Sequence, residues 1–203
     1  MTARWIQAVT LAGAHAVLEP LAMEHVAGLQ EAVRDGELWK LWYTSVPAPD
    51  GVAEYARAAL EQRERAGWMP FVVRDRASGR IIGSTRYCNV DETNQRLEIG
   101  YTWYAASYQR TAVNTECKYL LLGHAFETLG AIAVEFRTHW HNRPSRAAIA
   151  RLGAKQDGVL RNHQRLPDGT LRDTVVFSII DQEWPAVRQS LRHRLGLQEQ
   201  ARV

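Results

Sequence analysis

Residues 68–73, 81–88 and 97–104 are three consecutive apolar segments of strand length, separated only by the turns Ala77-Ser78-Gly79-Arg80 and Asp91-Glu92-Thr93-Asn94. Connections this short join antiparallel neighbours, because a parallel pair needs a crossover of a dozen or more residues. The third segment then passes, through the loop at 105–111, into a helical pattern over 115–129. There Leu121, Leu122, Ala125, Phe126 and Leu129 share a face that Val113, Cys117 and Leu120 widen. An apolar stripe of that width suits a helix lying on a sheet. A chain that runs strands consecutively and then alternates them with helices builds a mixed sheet covered by helices.

The flanking segments extend the pattern. Residues 17–21 read as a first strand, and 23–35 as a helix with Val26, Leu29 and Val33 at helical spacing, closed by Gly36. Residues 37–49 are aromatic-rich and broken by Pro47 and Pro49, as a loop would be. A second helix is expected over 50–65 with Asp50 as its N-cap. Beyond the central unit, 133–138 is strand-like, and 143–152 is a helix with Pro144 in its first turn and Gly153 after its end. Residues 159–165 and 171–180 form a hairpin across Pro167-Asp168-Gly169-Thr170, and a last helix over 181–195 stops at Gly196. The expected fold is α/β in the α+β sense, a mixed, mostly antiparallel sheet of about seven strands flanked by helices. One domain spans 11–180, the helix at 181–196 packs on or extends it, and 1–10 and 197–203 are flexible termini.

A chain of 203 residues suits one well-packed domain. Its 25 basic and 22 acidic residues nearly cancel, so only clustering could signal an anionic partner. The densest basic stretch, 188–194, has helical spacing and reads as a solvated helix face, so nucleic acid is not an expected partner. No run of 18 apolar residues exists, which excludes an ordinary membrane span. Arg4, the apolar 5–13 and Ala14-His15-Ala16 only loosely imitate an export signal, since Gln7 and Thr10 interrupt them. Cys88 and Cys117 form no disulfide framework and read as small buried hydrophobes of a reducing compartment, so a cytoplasmic location is expected.

The strand at 97–104, its loop and the following helix form one β-loop-α unit. A helix N-terminus presents unpaired N–H groups and partial positive charge, and so binds phosphate readily. Alone, this also describes a plain structural connection. Three motifs add to it. Glu98-Ile99-Gly100-Tyr101, followed by 108–116 and 120–129, resembles the strand-loop-helix core of the GNAT acetyltransferases. Asn142-Arg143-Pro144-Ser145 with Ile149, Leu152, Gly153 and Ala154 is similar to the N-x-x-S…L-x-x-G-[FA] segment of the Rim-type, ribosomal-protein-acetylating branch. Leu11 with Leu18-Glu19-Pro20-Leu21 resembles the first strand of that branch. The resemblance spans about residues 11–180.

It implies an N-acetyltransferase that moves the acetyl group of acetyl-CoA to a primary amine, a protein N-terminus or a small amine, by direct attack in a ternary complex. Acetyl-CoA is the implied co-substrate, no metal is implied, and a homodimer is compatible. The cofactor positions carried over are Ile99, Tyr101, Gln109, Arg110, Thr111, Ala112, Val113, Asn114 and Asn142. One departure stands out: the family's Gly-x-Gly-x-Ala loop has Arg110, Ala112 and Asn114 at the matching positions. A non-catalytic acyl-CoA-binding module, or a ribosome- or RNA-associated protein, is the alternative.

Acetyl transfer needs an acceptor for the amine proton, a donor to the oxyanion and an acid for the thiolate. Glu98 is the base candidate, with a cross-strand ion pair to Arg86 or Arg96 as its other reading. Ser145 matches the residue the family places near the CoA sulfur as the acid, and Asn142 is equally a favoured N-cap. The resemblance places the oxyanion donor on the backbone near Ile99 or Tyr101. His141 is a second base candidate and, with Trp39, Trp42 and Tyr43, a candidate wall of the acceptor pocket. His139 and His141 lack a third ligand and make no metal site. His124 reads as a packed residue beside its helix's apolar stripe.

Overall fold

The computed structural model describes residues 4–197. Its strands are β1 (Leu11–Ala12), β2 (Ala16–Pro20), β3 (Met69–Asp75), β4 (Ile81–Asp91), β5 (Arg96–Tyr104), β6 (Ala133–His139), β7 (Lys155–Arg165) and β8 (Leu171–Ile180). The helices are α1 (Val26–Arg34), α2 (Val52–Ala66), α3 (Ala112–Gly123), α4 (Arg143–Arg151) and α5 (Trp184–Arg194). One sheet runs β1-β2-β3-β4-β5-β6-β8-β7, antiparallel at every pairing except β5 with β6. The strand beyond the expected seven is β1, whose two residues are too few to show any period in the sequence.

Helices cover the sheet unequally. On one face Phe71, Val73, Tyr87, Leu97, Ile99, Val134, Phe136, Val175 and Ile179 pack against α3, α4 and α5 in the larger core. On the other, Leu29 and Val33 of α1 and Val52, Ala56 and Ala59 of α2 meet Val72 and Trp103 in a smaller core. Burying 28 apolar residues in the larger cluster makes it the main source of stability. On the α1/α2 face, the part of the sheet around β6 and β8 carries polar side chains instead: Glu135, Arg137, His139, Arg172 and Thr174.

Two irregularities in β5 shape the middle of the sheet. Ser84 pairs with Trp103 and Arg86 with Gly100, so Thr85 alone opposes Tyr101 and Thr102. Tyr101 takes φ +52°, and the extra residue reverses the alternation. Leu97 and Ile99 therefore face α3, while Trp103 joins the α1/α2 core and Tyr101 is 41% exposed. Strict alternation would put Leu97, Ile99, Tyr101 and Trp103 on one apolar face, and the bulge splits them. Past Glu98 and Glu135, β5 and β6 no longer pair. Lys118 of α3 reaches into the split, donating to Thr102 Oγ1 at 2.7 Å with its ammonium 6.0 Å from the Phe136 ring centre.

Several boundaries shift for local reasons. Thr111 caps α3 by accepting from Val113 N at 3.3 Å, so that helix starts at Ala112. It continues past Gly123 as a π-helical turn, His124–Thr128. Asp50 is not an N-cap: it lies in a 3₁₀ turn, Pro49–Gly51, and α2 starts from Gly51 without a side-chain cap. Within residues 4–10, expected to be flexible, Trp5, Ile6 and Val9 pack against the main core. Ile6 is 3% exposed and Trp5 Nε1 donates to Leu129 O at 2.9 Å. The rest of the expected loose termini, 1–3 and 198–203, lies outside the described residues. Along α5, Trp184, Val187 and Leu191 turn into the main core, and Arg188 lies 3.4 Å from Glu127.

A buried carboxylate ties the N-terminal strands to α3. Glu116, 3% exposed, accepts from the backbone N–H groups of Ala14, His15 and Ala16 at 2.7, 2.7 and 2.8 Å. Cys88 and Cys117 are free and buried. No helix among the described residues is long and apolar enough to cross a membrane.

Candidate active site

Glu98 stands where β5 and β6 part. Its Cα partners are Cys88 on β4 and Glu135 on β6, so its side chain shares the α1/α2 face with Arg86 and Arg137, each two residues along. Asn89 Nδ2 donates to Glu98 Oε2 at 2.7 Å, and Arg137 Nε lies 3.5 Å from the same oxygen. Asn89 makes this bond from φ +45°, a left-handed conformation that asparagine tolerates better than most residues. Glu98 is 6% exposed, and burial raises its pKa although Asn89 and Arg137 favour the carboxylate. A carboxylate with raised proton affinity is suited to general-base work. Neither arginine expected to pair with it does so. Arg96 pairs with Glu135, and Arg86 is stacked between aromatic rings.

Arg137 lies between both carboxylates, donating to Glu135 Oε2 through Nη2 at 2.9 Å and Nε at 3.3 Å, with Nε also 3.5 Å from Glu98 Oε2. The Arg86 guanidinium lies 4.4 Å from the ring centres of both Tyr55 and Tyr101, and Trp68 packs 5.6 Å from Tyr101. The side chain of Tyr101 thus lies on the Glu98 face, which leaves its backbone as the part available to a cofactor.

Farther along β6 an aromatic wall rises on the same face. Trp42 packs 4.9 Å from His139, 5.4 Å from His141 and 5.6 Å from Tyr43, ring centre to centre. His139 Nδ1 accepts from His141 N at 3.1 Å, which leaves Nε2 to carry any proton. Burial lowers the pKa of His139, aided by Arg172 and His141, so the ring is neutral at physiological pH. Trp42, Tyr43 and His141 are thus brought together. Trp39 is not among them and packs against the α1/α2 core.

The candidate phosphate loop lies at the other side of the split. A 3₁₀ turn, Ala106–Tyr108, follows β5 and is anchored to the end of α1: Ala106 N donates to Asp35 O at 2.7 Å, and Ser107 Oγ bonds Asp35 Oδ2. Gly36 needs its φ of +97°, and a Cβ there would meet Ala106 Cβ at 2.7 Å. Arg110 takes φ +60°, so the left-handed turn that a glycine would provide forms without one. Thr111 is the cap, and the N–H groups of Ala112 and Asn114 belong to the helix's first turn, where no intrahelical acceptor exists. Gln109 Nε2 bonds Tyr104 O at 3.1 Å, while Val113 and Ile99 have their side chains in the core. Those three can offer a ligand only backbone groups or a displaced amide.

Because β5 and β6 are parallel and each leads into a helix, the starts of α3 and α4 lie at the same end of the sheet, where the strands diverge. At α4, Asn142 Oδ1 caps the helix by accepting from Ser145 N at 3.1 Å. Ser145 is half-buried in the first turn. Sequence reasoning missed Asn89, Arg137, Arg172 and Lys118. Only Lys118 carried a local signal, a charge four residues before Leu122 within an apolar stripe. Among the described residues no group of three His, Cys, Asp or Glu side chains could hold a metal.

Comparison with known proteins gives a consistent picture. The family described as "Acetyltransferase (GNAT) domain" matches residues 15–155. YdaF of Bacillus subtilis, whose name places it among ribosomal N-acetyltransferases, is 30% identical over 106 residues, 52% of this chain and 57% of YdaF. That match spans little more than half of the relative's length. A GCN5-related N-acetyltransferase from Brucella melitensis superposes with a TM-score of 0.82 at 30% identity, covering 93% of this chain and 86% of that one. A protein of T. thermophilus described as an acetyltransferase gives a TM-score of 0.82 at 31% identity, with 94% and 99% covered.

Proposed function

Because the chain belongs to the GNAT acetyltransferase family, we propose that it transfers the acetyl group of acetyl-CoA to a primary amine by direct attack in a ternary complex. The observation that carries this reading is Glu98, a buried carboxylate of raised pKa at the divergence of β5 and β6. It shares its sheet face with Arg137 and with His139, on which Trp42 packs, and β5 leads on into the capped start of α3.

In this reading the CoA pyrophosphate rests on the first-turn N–H groups of α3 around Ala112 and Asn114, with Arg110 as a neighbouring cation. Glu98 takes the amine proton through a water, and the amine nitrogen forms its bond to the thioester carbon. The oxyanion accepts from the backbone of β5 beyond Glu98, where β6 no longer pairs with it. Collapse breaks the C–S bond, and Ser145 protonates the thiolate. The left-handed Arg110 supports a working cofactor loop, since the turn forms without a glycine, and Glu98 is what favours turnover over a module that only binds acyl-CoA. The name of YdaF supports a protein N-terminus as one acceptor class, and a small amine is the other.

Cofactor binding is read by thermal shift. Ligand at about 100 times its Kd stabilises by roughly 2.7 kcal/mol, which for a domain of this size raises Tm by about 5–10 °C. Ala112→Glu brings a carboxylate to the helix start. It suits the apo helix dipole, so apo Tm holds, but it repels the pyrophosphate and abolishes the shift. No shift in the wild type at millimolar acetyl-CoA contradicts the proposal.

A further inference from the structure

A charge taken out of water is retained only when something compensates it. Around Glu98 four guanidiniums, those of Arg86, Arg96, Arg137 and Arg172, meet two carboxylates, Glu98 and Glu135. Arg96 and Arg137 account for both carboxylates. Arg86 and Arg172 have no carboxylate within 4 Å among the described residues.

Arg86 is the more extreme of the two. It is 4% exposed, and its Nε has no hydrogen-bond acceptor among the described residues. The faces of Tyr55 and Tyr101 pack on it, and no hydrogen bond from its edge, where the N–H donors lie, is made to another described residue. Arg172 is half-buried on β8, and its Nε donates to Thr174 Oγ1 at 3.0 Å. Burial lowers its pKa, and the groups that act on it electrostatically are Glu98 and Tyr101. Arg86 lies over the Tyr101 ring and is two residues from Cys88, the cross-strand partner of Glu98, while Arg172 is two residues from Thr174, the cross-strand partner of His139, on the same face of the sheet.

We propose that Arg86 and Arg172 determine acceptor specificity by binding a carboxylate of the acceptor, so that the amine acetylated beside Glu98 belongs to an anionic, amino-acid-like molecule. This rests on the acetyl-transfer reading and narrows its acceptor. Guanidinium binds carboxylate through directed, charge-assisted bonds. The same two cations disfavour polyamines and aminoglycosides, whose remaining ammonium groups would be brought against them without an intervening anion. The carboxylate can come from a free amino acid or from an acidic first residue of a peptide, and the two sources share this chemistry.

The test compares each acid with its amide. One arm uses free alanine and glutamate against alaninamide and glutamate diamide. The other uses C-terminally amidated tripeptides beginning with Glu against those beginning with Gln. In at least one arm the acid is used with a kcat/KM tenfold or more above the amide, on the order expected when a site built for a polar group meets an analogue lacking it. The preference resides in KM. Arg172→Gln, at a half-buried strand position, raises KM for the acid toward that of the amide. Arg86→Met, which keeps an unbranched chain between the tyrosines, does the same, and Arg172→Gln keeps the test readable if Arg86→Met fails to fold. Equal use of acid and amide in both arms, or a preference for polyamines, overturns this inference and leaves acetyl transfer standing. A protein inert toward every amine overturns both.

Discussion

Glu116→Gln removes the charge that three backbone donors share. Ala14, His15 and Ala16 present their N–H groups to the two carboxylate oxygens at 2.7–2.8 Å. Glutamine keeps one acceptor oxygen and turns an NH₂ group toward the remaining donor, so at least one backbone N–H loses its partner at a site where Glu116 is 3% exposed. A hydrogen bond to a charged group contributes about 1.5–3 kcal/mol net, and an orphaned donor costs about 1–3 kcal/mol. The combined loss is about 3–5 kcal/mol. At about 2–4 °C per kcal/mol for a domain of this size, Tm falls by roughly 6–20 °C. Urea unfolding gives the free energy, and hydrogen exchange locates it, with the amides of Ala14, His15 and Ala16 losing protection first. Gly13→Ala attacks the same contact from the other side, because a Cβ there would lie 2.3 Å from the Glu116 carboxyl carbon. A Tm change of less than about 2 °C in Glu116→Gln, or unchanged exchange at the three amides, refutes the clamp.

Four further outcomes follow from the site. Glu98→Gln lowers kcat by roughly 10²–10⁴-fold and removes the acidic limb of the pH–rate profile. In the wild type burial places that limb above the ordinary carboxylate range. Full activity of Glu98→Gln from pH 6 to 9 returns Glu98 to a purely ionic role. Lys118 is held at a pKa of about 8 by burial. Below that pH both folded and unfolded chains are protonated and the full burial cost of about 3 kcal/mol applies. Between about 8 and 10.5 the unfolded chain binds the extra proton, so stability from this group rises with pH. Cys117, raised to about 12, acts with the opposite sign, so the measurement is the urea stability of wild type minus Lys118→Met at pH 7 and pH 10. A difference that does not move with pH contradicts the assignment. Ser145→Ala loses roughly tenfold to a hundredfold in kcat with little change in acetyl-CoA affinity. Asn142→Ala, which removes the α4 cap, lowers stability by about 1 kcal/mol and weakens acetyl-CoA binding. Weakened binding with unchanged kcat in Ser145→Ala makes it a binding residue.

The order of elements was legible because it rests on local period: alternation over 68–104 and a helical stripe over 115–129 are both written in the side chains. The partner of Glu98 was not. Arg86 and Arg96 sit on strands whose register follows from short turns, whereas Arg137 arrives through a helical crossover whose register no local pattern specifies. The bulge at Tyr101 was equally hidden, since a tyrosine carries no mark of a left-handed φ. Arg110 shows the converse. Its glycine-like turn forms in a loop anchored by Asp35, at the end of α1, far off in sequence. Trp39, Trp42 and Tyr43 looked alike as loop aromatics, yet Trp39 packs into the α1/α2 core and only the other two meet His139. Residues 4–10 looked loose because Trp5 and Ile6 show no period by themselves, and their packing is supplied by the main core and the carbonyl of Leu129.

Acetyl transfer itself is measured by following free CoA thiol and acetylated amine together while acetyl-CoA and a primary amine are varied independently. Direct attack in a ternary complex predicts that thiol appears in step with acetylated amine, that neither appears without the amine, and that the initial-rate lines intersect. Thiol released at the same rate without any amine, or no transfer to any primary amine, contradicts it.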